Sequence, residues 1–163
     1  MIKRLLRTTL CTAWLGLAAA APALGQEAIK LTVVAGHPPV FLWVKMTDEV
    51  FIPGVDRRLA AAGGKYKIDW TKAWGGTLVK LGGESKGVAD GVADIGLVST
   101  IFEAAKFPLQ NVTYYTPFGS DDINVVAKAV ADLQAGIPAM AEAWSRSGLV
   151  YLSGMALDSY HIW

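Results

Sequence analysis

The sequence predicts an α/β domain built on a mainly parallel sheet with helices on both faces. Three observations carry that reading. Short apolar runs such as LTVVAG (31–36) and ADIGLV (93–98) are continuous rather than alternating, as in strands covered on both sides. Helical spacing separates these runs almost everywhere. Glycine or proline sits at nearly every junction between the two patterns.

The elements follow in order. LTVVAG closes on Gly36-His37-Pro38-Pro39, a strand and a turn. From Val40 the spacing is helical, with Phe41, Val44, Met46 and Val50 on one broad apolar face, and Pro53 is expected to kink or restart that helix before it ends at Gly63-Gly64. YKIDWTKAW alternates Tyr66, Ile68 and Trp70 with Lys67, Asp69 and Thr71, a strand with one wetter face. TLVKLGGESKGVADG (77–91) is expected as a helix weakened by Gly82-Gly83, followed by the third strand, ADIGLV. IFEAAKF (101–107) reads as a short helix and VTYYTPF (112–118) as a fourth strand. Ser120-Asp121-Asp122 open a long helix with the stripe Ile123, Val126, Val130 and Leu133. Gly136 closes it, Pro138 begins a second helix running to Arg146, and LVYLSGMA (149–156) reads as a fifth strand.

Residues 1–25 stand apart. A basic start at Lys3, Arg4 and Arg7, an apolar middle and Ala23-Leu24-Gly25 before Gln26 form the pattern of a cleaved secretory signal peptide. This segment holds three of the fifteen basic residues and none of the fourteen acidic ones, so its removal takes the formal charge from +1 to −2. It also removes Cys11, the single cysteine, which leaves the domain to core burial rather than disulfides. A near-neutral chain of this kind offers no electrostatic case for nucleic acid. The expected location is the periplasm, and the length leaves residues 26–163 as one domain or as half of a two-domain protein, a first lobe plus the start of a crossing strand. The apolar ending SYHIW, without cap or turn, suggests a piece of something longer.

In an open parallel sheet, ligands bind beyond the carboxyl ends of the strands. Those ends carry His37 and Pro38, Trp74 and Gly75, Ser99 and Thr100, and Phe118. Hydroxyls, aromatic rings and glycine backbone together suit a small organic ligand. The plainer alternative is that Ser99 and Thr100 only cap a helix and the glycines only turn the chain. Catalysis has less support. His37 and His161 are the only histidines, there is no ligand-spaced cysteine or histidine set for a metal, and no Gly-x-Ser-x-Gly elbow is present. GGTLVKLGG lacks the Gly-Lys-Ser/Thr ending of a phosphate loop, and no cofactor is expected.

The strand-turn LTVVAGHPP, the block AWGGTLVKLGGESKGVADGVADIGLVS, and NVTYYTPFG before an acidic-started helix together resemble the extracytoplasmic solute receptors of TRAP transporters, the DctP-like substrate-binding proteins. The resemblance spans residues 29–163. It implies the first lobe of a two-lobed periplasmic binding protein that closes on a small organic acid and delivers it to membrane TRAP permease subunits. It places ligand contacts of this lobe at His37, Pro38, Trp74, Gly75, Ser99, Thr100 and around Phe118. The family's carboxylate-clamping arginine belongs to the second lobe, which this sequence does not reach. Two rival expectations stand beside it: a periplasmic α/β enzyme using Ser99 and His37, and a non-functional truncated receptor.

Overall fold

The structure, a computed structural model, describes residues 26–116 and 119–156. At its centre lie three parallel strands in the order β2-β1-β3: β1 (Glu27–Val34), β2 (Tyr66–Ala73) and β3 (Ile95–Gly96). β1 pairs with β2 along its whole length, from Glu27 opposite Tyr66 to Val34 opposite Ala73. On its other side only Val33 and Val34 face Ile95 and Gly96. The predicted parallel α/β architecture is thus present, on fewer strands than expected.

β2 keeps the alternation read from its sequence, with Tyr66, Ile68 and Trp70 half-buried between exposed neighbours. β1 starts earlier than expected, because Glu27–Lys30 pair with Tyr66–Asp69 despite their exposure. β3 is shorter than expected because Asp94 replaces a rung of the ladder with its side chain. Its Oδ2 accepts from Thr32 N at 2.7 Å, while its own N–H donates to Thr32 O at 2.9 Å. Beyond the strand, Leu97 N still donates to Val34 O at 2.9 Å.

The helix after β1 comes in three pieces, α1 (Leu42–Met46), a π-helical turn (Thr47–Phe51) and α2 (Ile52–Ala61). Pro53 explains the break. It lacks an N–H for the carbonyl four residues back and its ring crowds that carbonyl, so the turn ahead of it widens while proline itself takes a first-turn position of α2. Gly63, with φ of 102°, and Gly64, with φ of 61°, end α2 as expected.

Four expectations are corrected here. Residues 77–91 do not form one helix: Gly75, Gly76 and Gly82 sit at φ of 67°, 71° and 78°, which coils the chain into turns, and α3 begins only at Glu84 (Glu84–Ala89). Residues 112–116 are not a strand. A 3-10 turn (Pro108–Asn111) leads into α4 (Val112–Tyr115), because buried Asn111 donates through Nδ2 to both Phe107 O and Thr100 O at 3.0 Å and fixes a helical reversal. Residues 149–156 are irregular, with Tyr151 turned onto Trp144 at a ring-centroid distance of 5.6 Å instead of joining a sheet. The expected helix at 101–107 is likewise reduced to a 3-10 turn over Thr100–Glu103.

The long helix is present as α5 (Ile123–Gly136), with Asp122 Oδ1 accepting from Asn124 N at 2.8 Å. Val126, Val130 and Leu133 are half-buried, but Ile123 is exposed. α6 (Pro138–Ser145) follows and inserts Met140 and Trp144 into the interior. Two small cores result. Val34, Val79 and Ala93 form one, and Phe107, Trp144 and Leu149 form the other, with Val88 packed against both. An open trough of about 660 Å³ between α5, α6 and residues 149–156 shares no residue with the strand ends.

Phe107 is fully buried, with its ring 4.4 Å from that of Trp144. Phe107→Ala is expected to cost about 3–5 kcal/mol of unfolding free energy, and Val126→Ala on half-covered α5 about 1 kcal/mol or less. Urea titrations followed by tryptophan fluorescence compare the two.

Candidate functional site

The site forms where the loops after β1, β2 and β3 converge. The first two loops continue the sheet's hydrogen bonding past its end. Ala35 N donates to Ala73 O at 3.1 Å, Gly75 N to His37 O at 2.9 Å, and Gly76 N to Ala35 O at 3.1 Å. The left-handed backbone of Gly75 and Gly76 turns these donors toward the β1 loop, a conformation that a side chain would strain. Pro38 lies against Gly75, and its carbonyl accepts from Phe41 N at 3.1 Å to start the turn into α1.

Gly36 is the tightest point. A Cβ there would stand 2.4 Å from Leu81 Cα and 2.5 Å from Glu84 Oε1. Glu84, 0% exposed, accounts for that closeness: Oε1 accepts from Gly36 N at 2.9 Å and Oε2 from Gly82 N at 2.8 Å. One carboxyl group therefore satisfies a backbone donor in each of two loops. Behind it, buried Ser85 donates through its backbone N–H to Glu103 Oε1 at 3.2 Å and through its hydroxyl to Glu103 Oε2. Lys106 Nζ donates to the Ser85 hydroxyl at 2.8 Å.

On this frame stand the residues expected from the sequence. His37 and Ser99 meet, with Nδ1 and Oγ 3.4 Å apart. Pro38 and Gly75 lie together beside them, and Trp74 stands half-buried at the end of β2. Thr100 is at the predicted place, but its hydroxyl donates to Asn111 Oδ1 at 2.9 Å, so it anchors the 3-10 turn rather than presenting a free hydroxyl. Phe118 lies outside the described residues.

Sequence reasoning missed the aromatic surround. The His37 ring lies 4.8 Å from Phe41, 5.0 Å from Trp43 in an edge-on arrangement, and 5.8 Å from Phe102. Phe41 and Trp43 also pack on each other at 4.8 Å. The available signal was Phe41-Leu42-Trp43 directly after His-Pro-Pro, which reads equally as a helix face. Glu84 was missed as well; an acid between a glycine pair and an apolar helix was its one sign. The arrangement offers one imidazole, one hydroxyl and several ring faces, a set suited to holding an organic molecule.

Glu84→Ala is expected to leave the Gly36 and Gly82 N–H groups unsatisfied, at about 1–3 kcal/mol each. Hydrogen exchange is expected to accelerate at both loops well before global unfolding, and unchanged protection there would contradict the tie.

No protein-family model matches the chain, and no curated protein matches it. Solved structures do. A TRAP periplasmic solute binding protein from Desulfovibrio salexigens matches with a TM-score of 0.58 and 24% identity over 72% of this chain and 34% of its own. DctP6 of Bordetella pertussis, an extracytoplasmic solute receptor binding pyroglutamic acid, gives 0.55 and 22% over 74% of this chain and 36% of its own. DctP7 of the same organism, also binding pyroglutamic acid, gives 0.53 and 23% over the same shares, 74% and 36%. The chain thus spans about a third of the length of these structures. It has the fold of part of a TRAP periplasmic solute-binding protein.

Proposed function

We propose that the chain is the first lobe of a TRAP-type extracytoplasmic receptor, capturing a small organic acid beyond the carboxyl ends of β1, β2 and β3 for delivery to membrane permease subunits. The observation that carries this is the meeting of His37 and Ser99 at 3.4 Å, brought from loops 62 residues apart to the ligand-binding end of a parallel sheet. The matched structures add to it. Two bind pyroglutamic acid, and the Desulfovibrio protein holds the C-terminus of a symmetry mate in its ligand binding site.

The assignment of His37, Pro38, Trp74, Gly75, Ser99, Thr100 and Phe118 as ligand contacts belongs to this proposal, Phe118 lying outside the described residues. So do residues 1–25 as an export signal and the periplasm as destination. Among the described residues no helix is long and apolar enough to cross a membrane. The second lobe would contribute the rest of the clamp, and closure would follow the hinge motion of periplasmic binding proteins.

An enzymatic role for Ser99 and His37 has less support. At 3.4 Å the pair is long for proton transfer, and among the described residues no carboxylate hydrogen-bonds His37 to orient it. The solved neighbours are solute-binding proteins.

Ser99→Ala and His37→Ala are each expected to weaken binding of pyroglutamate roughly 2- to 10-fold, the value of one neutral hydrogen bond. Calorimetry or ligand-observed NMR measures the change. Product formation from the ligand by the unaltered chain, lost in Ser99→Ala, would overturn the receptor reading in favour of the enzyme.

A further inference from the structure

We infer that the ligand is a monocarboxylate carrying a ring, packed against the rings of His37, Phe41 and Phe102, rather than an open-chain dicarboxylate. The inference rests on the receptor reading above and adds the chemical class.

Phe41 and Phe102 remain 39% and 56% exposed although each packs toward His37. They come from different loops, Phe41 from the turn after β1 and Phe102 from the 3-10 turn after β3. Both are held in place. Phe41 packs on Trp43, and Phe102 sits on Gly82, where an added Cβ would be only 3.3 Å from Phe102 Cβ. Gly82 is itself tied by Glu84, so the backbone and Cβ of Phe102 lie against a loop fixed by that carboxyl group.

Ring faces of this kind reward a flat, weakly polar body and do nothing for a second ionised group. A dicarboxylate lying along the wall would strip water from one carboxylate against phenyl groups without returning a hydrogen bond. The polar atoms of the wall, the imidazole and the Ser99 hydroxyl, stand together 3.4 Å apart, so they serve one polar end. A ligand with one polar end and one flat body uses both features. Pyroglutamic acid, bound by two of the matched structures, has that form.

Saturation-transfer NMR titration of the purified chain compares phenylacetate and pyroglutamate with succinate, and reads weak as well as tight binding. The two ring acids are expected to bind roughly 10-fold tighter than succinate, with their ring protons receiving the strongest transfer. Phe102→Leu, which keeps an apolar side chain over Gly82, is expected to weaken the ring acids roughly 2- to 10-fold and to leave succinate unchanged. Succinate binding as tightly as the ring acids would overturn the ligand class while leaving the receptor reading intact. Equal weakening of all three ligands in Phe102→Leu would also overturn it, since the ring would then act through the fold. Binding of none of the three would overturn this inference, while the receptor reading, in which a second lobe supplies the rest of the clamp, would stand.

Discussion

The site depends on the buried carboxyl group of Glu84. Two glycine-bearing loops approach each other closely enough that Gly36 tolerates no side chain, and such an approach buries backbone donors that no strand can satisfy. Glu84 accepts one donor from each loop, with Oε1 on Gly36 and Oε2 on Gly82. Removing it leaves two unpaired N–H groups at the point where β1 turns toward the ligand. A full hydrogen-bond set is what makes a polar group at 0% exposure tolerable here. The next bonds outward, from Ser85 to Glu103 and from Lys106 to Ser85, extend the tie to the 3-10 turn that carries Phe102. Position at the rim is therefore inherited from α3.

That dependence explains which features were legible in the sequence. β1, β2, α2, α5 and α6 announce themselves through local patterns: a β-branched run, an alternation, a glycine stop, an acidic cap, a first-turn proline. Each is decided within a few residues. The middle block was misread because its conformation is decided by Glu84 and by three left-handed glycines, and neither shows in a hydrophobic period. The aromatic and β-branched run Val112–Tyr115 has strand composition, yet the side chain of the preceding Asn111, donating to two backbone carbonyls, curls it into a helix. Long-range side-chain bonds, invisible to a window, override local preference.

The candidate site divides along the same line. His37, Pro38, Gly75 and Ser99 could be named as candidates because the rule that ligands bind at the carboxyl ends of parallel strands needs only approximate strand ends, although β3 stops at Gly96 rather than Val98. Thr100 lies in the 3-10 turn after β3, where its hydroxyl is held by Asn111, a bond that its sequence neighbours do not show. Phe41 and Phe102 were hidden because an aromatic residue in a helical stretch reads as core until its neighbours are known. Ring contacts converging on one histidine from two loops are a tertiary fact.

The doubled Gly-Val-Ala-Asp at residues 87–94 shows how one short phrase serves two physical ends. In the first copy Gly87 must be small, because a Cβ there would meet Val79 Cγ2 at 2.7 Å and push α3 off the core. Asp90 caps the helix, and Gly91 leaves it at φ of 74°. In the second copy the aspartate no longer ends a helix but completes a sheet, with Asp94 Oδ2 taking the N–H of Thr32. The same four letters therefore stop one element and start the next. Both roles serve the candidate site: Gly87 lets α3 lie close enough for the Glu84 carboxyl group to reach Gly36, and Asp94 fixes β3 beside β1 ahead of the loop that carries Ser99. The repeat needs no repeated structure, because the constraint at each glycine and each aspartate is set by what lies across from it rather than by what lies beside it.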